Sequence, residues 1–437
     1  MKLVPLNIAL LSVLLLGPVR MPAQSEKPSA GSGDTLKLVV ILSRHGVRSP
    51  TQANTQLDRL SVKPWPQWTV APGELTPRGA LLLRQFAGWQ RTRLAAQGLL
   101  QPQGCADAAQ VTVYADSDQR TVASGHALAE GLMSGCKIRI DSLPQGTEDA
   151  LFHPLAAKAI EADRQLAADA LRERVHGDPA APARDHQTVL EELQRILNDC
   201  AAQPSSCSKV PAEKATSVTG IVPAILPGKS DHLADLRGPL AVGSSMSENL
   251  LLEYAEGLPA DQVGWGQVQE QQLQKLLPLH SAYFDLVHRT PYFAQVEASN
   301  LLDHIRRTLE QGATGKSIDG AIGPKGEKVV ILTGHDTNLA GVASLLGIHW
   351  DLDGRRDDTP PGAEMAFELW QHGDTYSVRL RYSLQTLAQL RAAKPLSEQN
   401  QPASELPEMS CKDATGRCSL AGFKELVKQA VRPEFIR

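Results

Sequence analysis

The stretch from Leu36 to Leu42 is almost unbroken in its apolar character and stops abruptly at Ser43-Arg44-His45-Gly46. A short run of this kind suits a strand buried on both faces better than an amphipathic helix. The pattern recurs twice. Val111 to Ala115 stops at Asp116-Ser117-Asp118-Gln119-Arg120, and Lys328 to Leu332 stops at Thr333-Gly334-His335-Asp336. Buried strands that end in charged residues and lead into helical patterns predict an open α/β sheet. In such sheets ligands lie beyond the carboxyl ends of the strands.

The helices that follow carry ordinary boundary signals. Thr76-Pro77 reads as an N-cap and first-turn pair, Leu82, Phe86 and Trp89 share a face, and Gly98 can close the helix. After Asp336, Leu339, Val342 and Leu346 share a face and Gly347 is the terminator. The middle of the chain is different. Pro154 to His176 is rich in alanine and charge, Asp185 to Asp199 aligns Leu190, Leu193 and Leu197, and a tract from Val263 to His288 should break or bend at Pro278. Beyond Pro360-Pro361-Gly362, Glu364 to Trp370 and Thr375 to Tyr382 alternate as late strands do. A chain of 437 residues exceeds what one core usually serves. The expected organisation is an α/β lobe in two parts, 24–153 and 288–437, with a mostly helical cap domain inserted at 154–287.

Met1 and Lys2 precede an apolar run from Leu3 to Val19 that exits through small residues near Pro22 and Ala23. This reads as a signal peptide over 1–23, with an uncleaved anchor as the alternative, since Pro5, Asn7 and Arg20 interrupt a spanning helix. A periplasmic or secreted location follows, with no membrane association after cleavage, and Ser25 to Asp34 reads as a mobile leader. The formal net charge is −4 and falls to about −6 without the leader's Lys2 and Arg20. No basic stripe is available for nucleic acid.

Six cysteines in an exported chain suggest disulfides, although fifteen connectivities are open in principle. Short-loop closure makes Cys200–Cys207 and Cys411–Cys418 the simplest pairs, leaving Cys105 with Cys136. A zinc site is the competing reading, but no pair has the spacing of a zinc knuckle.

The run Arg44-His45-Gly46-Val47-Arg48-Ser49-Pro50-Thr51 places two guanidinium groups around a histidine, with a hydroxyl three residues beyond Arg48. Clustered guanidiniums repel unless an anion joins them, and their planar forks suit phosphate oxygens. A neutral imidazole among them can act as a nucleophile. Gly46 removes side-chain bulk where the backbone approaches a ligand. Arg120, after the second strand, is either a surface ion pair or a third guanidinium on the same anion. Asp116 and Asp118 read as turn and cap residues rather than metal ligands. Asp336 is either an N-cap or a proton donor that must be protonated when substrate binds, and His335 would be a second imidazole on the anion.

These residues resemble the histidine acid phosphatases, within the larger group that includes the phosphoglycerate mutases. Arg44 to Thr51 resembles the family signature and His335-Asp336 its distal pair, over nearly the whole mature chain. Leu75-Thr76-Pro77-Arg78-Gly79, Gly264-Trp265-Gly266, Thr359-Pro360-Pro361-Gly362 and Cys418-Ser419-Leu420-Ala421-Gly422-Phe423 extend it. The bacterial periplasmic branch of phytases and glucose-1-phosphatases is the nearest in pattern, and His335-Asp336-Thr337-Asn338 favours the phytases. Gln52 departs from it, since many bacterial phytases carry lysine there, and six cysteines leave no room for a fourth disulfide.

The resemblance implies a phosphoglycerate-mutase-like three-layer α/β lobe with a helical cap. It implies His45 as nucleophile, Asp336 as proton donor, and Arg44, Arg48, Thr51, Arg120 and His335 as phosphate ligands, with Glu248 and Gln52 near the substrate. It implies no metal, no cofactor, a small phosphomonoester such as phytate as substrate, and a monomer. A broad acid phosphatase or glucose-1-phosphatase is the alternative within the class. A cytosolic mutase is disfavoured by the export signal, and a non-catalytic binder would not want the histidines.

Overall fold

A computed structural model describes residues 33–209 and 217–437, apart from the side chains at 204, 207 and 208. The expected signal peptide over 1–23 lies outside these residues. The leader expected over 25–34 lies outside them too, except for its end. There Asp34 is already the first residue of a strand, and its carboxylate meets His372 at 2.6 Å and Arg417 at 3.0 Å.

The central sheet is built from β1 (Asp34–Arg44), β2 (Val111–Ala115), β3 (Arg139–Ser142), β4 (Val329–Gly334), β5 (Glu364–His372), β6 (Thr375–Leu384), β7 (Ala403–Glu405) and β8 (Cys418–Ser419). Its order is β7-β6-β5-β1-β4-β2-β3, with β8 paired to β6. β1, β4, β2 and β3 run parallel, whereas β5, β6 and β7 continue the other side antiparallel. β4 therefore lies directly between β1 and β2. β4 runs on through Gly334, which pairs with Arg44, so both strands end level.

Helices cover both faces. Val39 and Ile41 pack with Val113, Val329 and Ile331 towards the helices Pro77–Ala96 and Gln119–Leu132. Leu38, Val40 and Leu42 face the other way, towards the helices Pro291–Thr314, Asp336–Leu346 and Leu420–Ala430. A register irregularity between Leu36 and Leu38 puts Leu36 on the same face as Val39, despite the even spacing from Leu38. Three layers result.

Between β3 and β4 the chain is mainly helical and gathers around a further cluster of buried residues running from Leu155 to Val287, joined by lobe residues such as Leu57, Phe293 and Phe435. The alanine- and charge-rich stretch 154–176 is helical over Arg164–Arg174. Residues 154–160 form turns and bends, with Lys158 at φ 55°, and Asp163 starts the helix by accepting from the Gln165 and Leu166 N–H groups. The Val263–His288 tract divides at Pro278 as expected, into Glu270–Leu276 and Pro278–Leu286. Thr76 caps its helix by accepting from Gly79 N, and Gly347 ends the Asp336–Leu346 helix in a left-handed conformation.

Cys105–Cys136 and Cys411–Cys418 are disulfides, with Cα atoms 5.4 Å and 5.0 Å apart. Cys200 is also disulfide-bonded. Its expected partner, Cys207, has its side chain outside the described residues. Among the described residues no helix is long and apolar enough to cross a membrane.

Candidate active site

β1 delivers Arg44 and His45 to one point at its carboxyl end. The His45 amide donates to the Gly334 carbonyl at 2.9 Å and its carbonyl accepts from Gly362 N at 3.0 Å, which ties it to the end of β4 and to the turn after Pro360-Pro361. Packing by itself requires Gly46 here. A Cβ would stand 2.8 Å from Leu83 Cδ1 and 3.0 Å from the Gly79 carbonyl. Gly79 is constrained reciprocally, since its Cβ would lie 2.2 Å from the Val47 carbonyl. The two glycines let the Pro77–Ala96 helix close against the loop that carries the histidine.

The His45 ring is 2 % exposed, and its Nδ1 lies 2.9 Å from the Gly46 carbonyl. A carbonyl can only accept, so Nδ1 carries the hydrogen and Nε2 keeps its lone pair. Burial first, and then the charges of Arg44, Arg120 and Arg48, hold this imidazole well below the usual histidine range. Both effects favour the neutral ring.

Arg44 is fully buried. Its Nη1 donates to the Thr359 carbonyl at 2.6 Å, and its Nη2 meets both Glu248, in a short contact, and Asp336 Oδ2 at 2.7 Å. Those two carboxylates raise its pKa against the opposing effect of burial. Arg48 stands 4.0 Å from Glu248, and burial lowers it to about 10. The Nε atoms of Arg44, Arg48 and Arg120 are buried without a partner among the described residues. Thr51, Gln52, Arg48, Glu248 and Asp336 line one cavity, together with His280, Tyr283 and Phe284.

His335 occupies the N-cap position of its helix, and its backbone N–H is taken by Asn338 Oδ1 at 2.9 Å. Asp336 is therefore the first helical residue, not the cap, although its Oδ1 accepts from Thr337 N at 2.8 Å. Burial opposes its charge, but Arg44 and then His280, His45 and Arg48 overcome this and hold the carboxyl well below the usual carboxylate range. The His335 and His45 rings are 5.6 Å apart. Every candidate site residue from the sequence meets in this region.

Asp116 and Asp118 are not the turn and cap pair expected. Asp118 stands at the N-cap position without capping, its carboxylate drawn to Arg120 at 2.6 Å. Asp116 is buried at the end of β2, and its Oδ2 lies 2.6 Å from His335 Nε2 and 3.1 Å from His153 Nε2. His280, whose Nδ1 is 3.1 Å from Ser244 Oγ, was not legible in sequence either. The strand-end position of Asp116 was the available signal. His153 and His280 lie in stretches with no local signature.

Parallel strands that converge two imidazoles, one of them held neutral, and three guanidiniums on one point define an enzyme acting on phosphoryl groups. The histidine phosphatase superfamily (branch 2) matches residues 35–383. The chain is 38% identical to phytase AppA of Escherichia coli (strain K12) over 423 residues, covering 94% of this chain and 96% of that protein. It is 29% identical to the glucose-1-phosphatase of Salmonella typhimurium, covering 97% and 99%. Among solved structures, the Hafnia alvei phytase in complex with myo-inositol hexakis sulphate superposes with a TM-score of 0.82 at 33% identity, covering 93% of this chain and all of that one. The chain belongs to the histidine phosphatase superfamily, branch 2, and is a phosphomonoester hydrolase of the histidine acid phosphatase type.

Proposed function

We propose that the enzyme is a phytase, hydrolysing phosphomonoesters of myo-inositol hexakisphosphate through a phosphohistidine at His45. The observation that carries this reading is the His45 ring itself: Nδ1–H is spent on the Gly46 carbonyl, and Nε2 stays a neutral lone pair among three guanidiniums. Nε2 attacks phosphorus in line while Arg44, Arg48, Arg120 and His335 hold the equatorial oxygens, with Thr51 at the edge. The P–O ester bond breaks as the P–N bond forms, and Asp336 gives its proton to the leaving alkoxide. Water then attacks phosphorus, the P–N bond breaks, and the Asp336 carboxylate takes the water's proton.

Asp336 is ionised beside Arg44 in the free protein. It takes up a proton only when a phosphoryl group competes for Arg44. At acid pH a phosphomonoester monoanion brings that proton with it, which is why acid conditions suit this chemistry.

The identities to E. coli and Hafnia alvei phytases support the inositol phosphate assignment. Gln52 supports a second reading, a broader acid phosphatase, because it lines the cavity without adding charge. The disulfides support a periplasmic or secreted enzyme. We assign residues 154–287 as a cap domain on the α/β lobe, supported by their own apolar cluster, and the working form as a monomer.

Rapid quench into alkali with labelled substrate tests the mechanism by trapping base-stable, acid-labile phosphohistidine. His45→Ala should abolish both the trapped intermediate and turnover. Residual activity above about a thousandth of wild type, roughly 4 kcal/mol in barrier, would overturn the assignment. Comparing kcat/KM for phytate, glucose-1-phosphate and aryl phosphates decides between the two substrate readings.

A further inference from the structure

His153 belongs to none of the strand-end motifs, yet it shares one carboxylate oxygen with His335. Asp116 Oδ2 lies 3.1 Å from His153 Nε2 and 2.6 Å from His335 Nε2, and the two rings stand 4.8 Å apart at 48°. The other oxygen, Asp116 Oδ1, is buried with no partner among the described residues. On the far side of the His335 ring, Nδ1 is 3.4 Å from Arg120 Nη2, so that nitrogen points towards the guanidinium cluster. The His153 side chain is 32 % exposed and that of His335 6 %, so His153 is the solvent-facing member of the pair.

We propose that His153 is a positioning residue for the phosphatase reaction, acting through Asp116 on His335 and setting the alkaline limit of activity. This rests on the reading of His335 as a phosphate ligand. For Nδ1 to donate to a phosphate oxygen while Nε2 donates to Asp116, His335 must be an imidazolium. One carboxylate oxygen cannot neutralise two imidazoliums, so the ring that holds its proton more firmly takes the charge of Asp116.

That ring is His153. Asp116 and Asp118 face it from the end of β2, Glu148 and Asp149 from its own segment, and His335 from the phosphate side, with Arg120 beyond the His335 ring. Burial opposes its charge, but the Asp116 hydrogen bond and the charges of Asp116, Glu148 and Asp118 outweigh burial and raise its pKa. Burial first, and then the charges of His153 and Arg120, lower His335 despite its bond to Asp116. As pH rises, His335 loses its proton while His153 is still charged. Removing the His153 charge leaves Asp116 to His335 alone, which then keeps its proton to higher pH.

The test is kcat/KM against pH with p-nitrophenyl phosphate for the wild type, His153→Asn and His153→Gln. The substrate's own ionisation is common to all three and cancels in the comparison. The expected result is an alkaline limb moved upward by about half a pH unit or more in both variants. The His335 titration, followed by nitrogen NMR on histidine-labelled protein, should move in the same direction. A limb that stays in place or moves down in both variants overturns the proposal. His335→Gln separates this from the underlying reading. If it loses about 100-fold or more in kcat/KM while the His153 variants leave the limb unmoved, the positioning role alone is wrong. If it keeps wild-type kcat/KM, the assignment of His335 to phosphate is wrong.

Discussion

Arg44 and Glu248 stand 204 residues apart in the chain and meet side chain to side chain, on the same guanidinium nitrogen that Asp336 approaches at 2.7 Å. One buried cation therefore sits between two carboxylates, and a phosphoryl oxygen has to compete with both. Glu248→Gln removes one competitor and one negative charge from the cavity wall. Orthophosphate should then inhibit more strongly, its inhibition constant falling about tenfold for a gain near 1.4 kcal/mol. The folded state should lose about 1–3 kcal/mol, since Arg44 keeps Asp336 but loses a charged partner. An unchanged inhibition constant would contradict the competition.

Asp336→Asn should harm hydrolysis of alkyl phosphates far more than that of aryl phosphates. A good leaving group needs little protonation, so the benefit of a proton donor shrinks as the leaving-group pKa falls. Equal losses across a leaving-group series would reduce Asp336 to a partner of Arg44.

Stability should depend on pH through buried carboxyls outside the site. Burial pushes Glu253 up to about 8 against a single hydrogen bond from Gly264 N, and pushes Glu364 up to about 7. An unfolded glutamate titrates near ~4.3. Between those values the folded state holds protons that the unfolded state has lost, so stability falls as pH rises. It is fully present below the unfolded value. Depressed carboxyls such as Asp116 and Asp336 act in the opposite sense, losing their contribution as pH drops below ~3.9. The melting temperature should therefore peak on the acid side of neutrality, and Glu253→Gln should flatten the decline above it. A flat profile from pH 5 to 8 would contradict this.

The two described disulfides should differ in worth. Cys105–Cys136 spans 31 positions and Cys411–Cys418 spans 7. Loop-closure entropy then gives about 3.7 kcal/mol for the first and about 2.4 kcal/mol for the second. Denaturant unfolding of the two double Cys→Ser variants should rank them in that order, and the reverse order would rule out the entropic account.

Gln52→Lys should lower the Michaelis constant for phytate while leaving aryl phosphate kinetics nearly unchanged. Gln52 lines the cavity, and a dense polyanion responds to an added rim charge more than a monophosphate does. The gain should fade with salt, because a rim charge is screened within about 8–10 Å at moderate ionic strength. An equal gain at high salt would sink the electrostatic explanation.

The sequence alone determined what depends on local pattern. Runs buried on both faces announced β1, β2 and β4, and their charged ends announced Arg44, His45, Arg120, His335 and Asp336 as residues gathered beyond the carboxyl ends of those strands. Thr76, Pro278 and Gly347 fixed helix boundaries through backbone chemistry that acts within a few residues. Tertiary structure decided what depends on approach between distant segments. It put Glu248 on Arg44, packed Gly46 against Leu83 so closely that no Cβ fits, and turned Asp116 from a turn residue into the carboxylate shared by His153 and His335. These contacts leave no periodicity, because a buried charge takes whichever partner the fold brings within reach and the sequence distance between them carries no energy.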